Sequence, residues 1–216
     1  MITDIKNSVS SKKTSPKGAT VDPNGNLVVS DNLKRKIYVY REISLELKTY
    51  FSSPGDNPKD LTVDPNTGNL VSYDGSTEKI YIHDGISSKI KKEFSTNSHV
   101  RGITFDPNGN LVVSSFITIP DKISIHKKIS PKIKNSFSII NVSPRIITTD
   151  SYGNLISCNN NVNKIYIHNK ISTKIKESFN KPRKTVIGMD FDLNKNLIIV
   201  VKSIDIPNLE FYTIRF

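Results

Sequence analysis

One phrase recurs five times along the 216 residues of this chain: an apolar run, an aspartate that opens a short polar turn, and a second apolar run that begins at leucine. In its fullest form it reads Gly102-Ile-Thr-Phe-Asp-Pro-Asn-Gly-Asn-Leu-Val-Val-Ser114. The opening aspartates are Asp22, Asp64, Asp106, Asp150 and Asp192, spaced by 42, 42, 44 and 42 residues. So regular a period means that one supersecondary unit is repeated, with each copy packing on its neighbours. Within a copy, Pro presets φ, Gly or Asn supplies the positive-φ position, and Asp can accept hydrogen bonds from the backbone two residues on. Apolar run, such a turn and apolar run together predict a β-hairpin.

Each copy continues with a third run, and the first four with a fourth. The third reads Lys36-Ile-Tyr-Val-Tyr40, Lys79-Ile-Tyr-Ile-His83, Lys122-Ile-Ser-Ile-His126, Lys164-Ile-Tyr-Ile-His168 and, more loosely, Leu209-Glu-Phe-Tyr212. Alternation of β-branched residues with Tyr, Ser or His has the period of a strand. The fourth run, as in Ile133-Lys-Asn-Ser-Phe137 and Ile175-Lys-Glu-Ser-Phe179, has a charged or polar middle that suits an outer edge. Four short strands per ~42 residues predict a β-propeller blade, whose period is about 40–45. The fifth copy ends after its third run, whereas Ile5-Lys-Asn-Ser-Val9 is a fourth run with no blade before it. The fold expected is therefore all-β: a five-bladed propeller of four-stranded blades, closed by a latch strand in residues 1–10 that joins the C-terminal blade. It is expected to form a single domain over residues 1–216, with inner strands starting near 18, 60, 102, 146 and 188.

Composition narrows the chemistry only slightly. Net charge is +11, with 36% hydrophobic and 24% charged residues, so the surrounding field favours acidic partners. The single cysteine, Cys158, has no internal disulfide partner and belongs to no metal-ligand cluster. The residues after Met1 lack the apolar core of a signal peptide, and no apolar run approaches the ~18 residues of a membrane span. The default expectation is a soluble, cytoplasmic protein with no membrane association, and a monomer, since the outer runs are rich in Lys and Ser.

The Pro-Lys/Arg-Gly-Ile-Thr-Val-Asp, Gly-Asn-Leu-Val-Val-Ser-Asp and Lys-Ile-Tyr-Val-Tyr phrases resemble NHL repeats and the related gluconolactonase-like, senescence-marker-type propellers. The resemblance covers nearly the whole chain, although that family usually has six blades. It implies a propeller fold. Its lactonase-like members imply a divalent metal held in the channel, and other members with this repeat bind single-stranded RNA on a basic face.

The five turn aspartates lie one per blade at a position that needs a capping side chain, so they read as scaffold. His83, His126 and His168 end the third run of three different blades and cannot meet within about 2 Å of one ion; His99 stands alone in a loop. The inner-strand starts offer two carboxylates, Asp60 and Asp190, too few for a hard-metal site. No catalytic residue, metal site or cofactor is assigned.

The remaining constellation is basic. Five residues before the repeat aspartates stand Lys17, Lys59, Arg101 and Arg145, with Ile187 in the fifth copy and Arg183 and Lys184 just upstream as stand-ins. These cations would ring one mouth of the channel and concentrate anions there. The preferred function is a non-catalytic binding or scaffold propeller holding an acidic protein, an anionic glycan or single-stranded nucleic acid. A channel-centred metal-dependent hydrolase or lyase and a structural component of a larger assembly are the two contrasting classes.

Overall fold

The computed structural model describes residues 5–10, 15–42, 46–96, 98–116, 121–139, 144–159, 161–202 and 208–214. They form five antiparallel four-stranded sheets arranged as the blades of a propeller. The first blade comprises β2 (Pro16–Val21), β3 (Leu27–Asp31), β4 (Lys36–Arg41) and β5 (Glu46–Ser52). The second is β6 (Pro58–Val63), β7 (Leu70–Asp74), β8 (Lys79–His83) and β9 (Ile90–Ser95). The third is β10 (His99–Phe105), β11 (Leu111–Phe116), β12 (Asp121–His126) and β13 (Ile133–Ile139). The fourth is β14 (Ile146–Thr149), β15 (Leu155–Asn159), β16 (Lys164–His168) and β17 (Ile175–Asn180). The fifth has β18 (Thr185–Phe191), β19 (Leu197–Lys202) and β20 (Asn208–Ile214) from the C-terminal part of the chain, and β1 (Ile5–Ser10) from the N-terminal part. No helix among the described residues is long and apolar enough to cross a membrane.

The turn aspartates act locally, as their spacing predicts. Asp22 Oδ1 accepts from Asn24 N and Asn26 N, both at 2.8 Å, and its Oδ2 accepts from Asn26 Nδ2 at 2.8 Å. The same clasp recurs at Asp106, Asp150 and Asp192. At Asp64, where one residue is inserted, Thr67 Oγ1 donates instead, at 2.6 Å. Gly25, Gly68, Gly109 and Gly153 take the left-handed position of the turn, and Lys195 takes it in the fifth blade at φ 63°. The Asn at the end of the phrase has a second duty: its Oδ1 accepts a backbone N–H from the turn after the third strand, as Asn154 does from Lys170 at 3.1 Å. In the first four blades the clasp thus ties two turns on one edge.

The apolar residues on either side of the clasp build the core. Leu27, Leu70, Leu111, Leu155 and Leu197 are all fully buried. The buried residues fall into clusters that straddle successive blades: Val28, Ile37 and Leu70 between the first and second, Val71, Ile80 and Ile103 between the second and third. Val112, Ile123 and Ile147 join the third and fourth, and Ile156, Ile165 and Leu197 the fourth and fifth. The last cluster sets Ala19, Leu27 and Val29 of the first blade against Ile198, Val200 and Phe211 of the fifth, which closes the ring. Outer strands such as β5 and β17 are almost wholly exposed.

Closure has a second component in the backbone. β1 pairs antiparallel with β20, with Ser8 opposite Glu210, Val9 opposite Leu209 and Ser10 opposite Asn208. Removing this strand leaves a row of unpaired β20 backbone groups. Deletion of residues 1–10 should lower the melting temperature by at least ~5 °C or drive the chain to associate. Calorimetry and light scattering that match the parent would show that the strand contributes nothing to closure.

Candidate anion-binding mouth

At one end of the axis the inner strands β2, β6, β10, β14 and β18 surround a bowl of about 760 Å³. Lys17, Lys59, Arg101 and Arg145 all line it. Their placement follows from irregular pairing between the first two strands of a blade. Pro16 faces Asp31 and Gly18 faces Ser30, so Lys17 is an extra residue in the ladder. Arg101 occupies the same position between Val100 and Gly102, and Ile187 between Val186 and Gly188. Lys59 lies within the register shift between Pro58 and Leu61. A bulge re-aims the side chain it carries, here at the rim. In the fourth blade, Arg145 precedes the ladder and donates its N–H to the Cys158 carbonyl at 3.0 Å. Between the first two blades, Ser30 Oγ accepts from Gly18 N at 3.0 Å and donates to the Lys59 carbonyl at 2.6 Å, which positions both rims together.

Arg183 and Lys184 are not brought to this wall. Arg183 is not among the residues that line the bowl, and Lys184 forms an ion pair with Glu210 of β20. The fifth blade instead contributes Lys202, at the end of β19 opposite Thr185. Phe116 from the end of β11 also joins, with the Arg101 guanidinium 4.6 Å from its ring centroid. His99, expected in a loop, begins β10, lines the bowl and lies 3.2 Å from Glu78 Oε1. The repeat phrase could not reveal Phe116 and Lys202, because the second strands end variously in Asp31, Asp74, Phe116, Asn159 and Lys202.

Like charges crowd this rim. The Lys17 ammonium is held below its ordinary pKa by burial and by its neighbours Lys202 and Lys59. Arg101 is likewise lowered, by burial first and then by Arg145, with Asp121 opposing. No Asp or Glu lines the bowl among the described residues.

Below the bowl the axis narrows to about 10 Å³, lined by Thr20, Thr62, Thr104, Thr148, Asp60 and Asp190 among others. Both carboxyls fasten one blade to another. Asp60 Oδ2 accepts from Ile103 N of the third blade at 2.7 Å. Asp190 Oδ2 accepts from the Thr20 hydroxyl and, at 2.9 Å, from Val21 N of the first blade. Burial pushes Asp60 up to about 8, opposed by the N–H groups of Ile103 and Leu61, and Asp190 adds to the rise. Loss of solvation raises Asp190 too, opposed by Thr20, Val21 and Phe191. The divalent ion implied by the lactonase-like resemblance does not fit this donor set. Two carboxyls already bonded to backbone fall short of the six to eight oxygens of a calcium site, and no group of three or more His, Cys, Asp or Glu is placed to share an ion among the described residues.

The three strand-ending histidines are structural as well. His83 Nδ1 lies 2.6 Å from the Ser87 carbonyl, which makes it the donor, so Nε2 accepts from the Ser72 hydroxyl at 2.9 Å. His168 Nε2 meets Ser157 Oγ at 2.8 Å, and His126 Nδ1 meets the Ser130 carbonyl at 2.9 Å. Burial lowers all three pKa values, favouring neutral imidazole. Cys158 is buried and its thiol is pushed up to about 12, so it is not a nucleophile.

No protein-family model matches this sequence, and no curated protein is significantly similar to it. Solved structures are similar in fold. The crystal structure of the Myxococcus xanthus glutaminyl cyclase matches with a TM-score of 0.74 at 11% identity, over 98% of this chain and 97% of that one. The WD40 β-propeller domain of Doa1 matches with a TM-score of 0.57 at 15% identity, over 88% of this chain. This chain spans 60% of the length of that structure. At these identities the likeness establishes the β-propeller fold and nothing about activity.

The raised Asp60 pKa has a signed consequence. The folded state keeps a proton that the unfolded carboxyl loses above its ordinary value of 3.8, so this group's contribution to stability falls as pH rises from about 4 through about 8. Asp60→Asn, a neutral isostere, should melt several degrees above the parent at pH 8.5, and the difference should vanish near pH 4. Parallel melting curves for the two proteins across that range would mean that Asp60 is not held protonated.

Proposed function

We propose that this protein is a non-catalytic binding propeller whose basic mouth holds an anionic ligand. The observation that carries the reading is the convergence of Lys17, Lys59, Arg101 and Arg145 from four blades, with Lys202 from the fifth, on one concave surface free of acidic lining among the described residues. Some cations elsewhere are paired, Lys79 with Glu93, Lys89 with Asp84 and Lys184 with Glu210, but no other place among the described residues brings one cation from each blade to a shared cavity. Keeping like charges together in a partly desolvated bowl is unfavourable unless an anion offsets them, and such a bowl raises the local anion concentration.

The finer likeness to NHL repeats supports a binding role of this kind, since members with that repeat use a basic face. The channel-centred catalytic reading rests on Asp60 and Asp190, whose oxygens already accept hydrogen bonds across blade boundaries. We take the protein to work as a cytoplasmic monomer, in keeping with the exposed Lys-bearing outer strands.

A single-stranded oligonucleotide serves as a generic polyanion for the test. Converting Lys17, Lys59, Arg101 and Arg145 together to Gln should weaken its binding and flatten the dependence of log K on log salt, by ~0.7 for each phosphate that the variant no longer neutralises. Equal affinity and equal salt slope in parent and variant would sink the reading.

A further inference from the structure

We propose that the natural occupant of the bowl is a compact polyphosphorylated small molecule, carrying three or more phosphate groups and bound one per chain within the ring of Lys17, Lys59, Arg101, Arg145 and Lys202. This rests on the reading of the mouth as an anion site and narrows it to one chemical class.

Three features favour a compact anion over a polymer. The first is layout. The cations come from five different blades and encircle an axis, with Lys17 close enough to feel both Lys59 and Lys202, and Arg101 close enough to feel Arg145. A single strand is best held by a groove that tracks its backbone, whereas a ring meets a compact body from all sides at once. The second is depth. The axial space under the bowl, about 10 Å³, holds about one water, so nothing threads through and a ligand stops at the rim. The bowl itself, about 760 Å³, lies within the ~300–1,000 Å³ typical of small-molecule pockets.

The third is charge. One phosphate monoester brings at most about −2 and leaves most of the ring unpaired, whereas three bring roughly −5, matching the five cations. Arg101 is prepared for such a ligand. Its guanidinium carbon lies over the Phe116 ring, 4.6 Å from the centroid, a contact that helps position a group suited to bidentate binding of phosphate.

The same chemistry exists on a linear triphosphate and on a phosphorylated ring, so titration calorimetry of the full chain should use ATP, inositol hexakisphosphate and orthophosphate. We expect one site per chain for at least one of the first two, at least about 100-fold tighter than orthophosphate, given that each tenfold step is ~1.4 kcal/mol. Tighter ATP would identify the linear form and tighter inositol hexakisphosphate the ring. That ligand should also displace a single-stranded oligodeoxythymidine from the mouth. If the oligonucleotide binds through the four cations but neither small polyphosphate displaces it at saturation, this inference is overturned and the anion-binding mouth stands. If neither polymer nor small molecule binds, both fall. Polyphosphate binding that survives the quadruple Gln substitution would place the site elsewhere and overturn both.

Discussion

Five inner strands share one narrow axis, and they can do so because their backbones approach within van der Waals distance of one another. A Cβ at Gly18 would lie 2.5 Å from the Lys59 carbonyl oxygen, and one at Gly188 would lie 2.6 Å from that of Ala19. Such contacts are too short to exist, so glycine is required wherever two blades meet this tightly. With the backbones held so close, each blade lays a full apolar face on the next, and separate clusters of Ile, Val and Leu fill the boundaries. The tightness also leaves the axis almost solid. Whatever this propeller binds on its axis is therefore met at the rim.

Buried polar groups follow a different logic from the rim. Asp22, Asp106, Asp150 and Asp192 satisfy turn N–H groups within four residues. Asp60 and Asp190 satisfy N–H groups on the neighbouring blade. Each is accounted for by the backbone it fastens. At the mouth, Lys17, Lys59 and Arg145 have no carboxylate partner among the described residues, and their nearest charged company includes one another. The contrast separates scaffold from candidate site on physical grounds: one set of charged groups is matched by the backbone it fastens, while Lys17, Lys59 and Arg145 form no ion pair among the described residues.

Much of the site was legible because it is copied. Lys17, Lys59, Arg101 and Arg145 stand at one offset from the repeat aspartates, where a register shift carries the first three and Arg145 immediately precedes its ladder. Lys202 and Phe116 escaped because they end second strands, where the residue type varies from copy to copy. Their arrival at the rim depends on which residue each faces across the ladder. Arg183 and Lys184 were drawn in by nearness in sequence, but Lys184 turns to Glu210, a partner 26 residues away.

The sequence alone determined the number of blades, the strands and the turns, because those are written in interactions that span a few residues and recur at a fixed period. Tertiary structure alone decided that Asp60 faces Ile103 in a buried setting that raises its pKa, that the first blade meets the fifth through Ala19 and Phe211, and which cations share the bowl. Those relations join residues tens to more than a hundred positions apart. They exist only once ring closure has set the distance between one inner strand and the next.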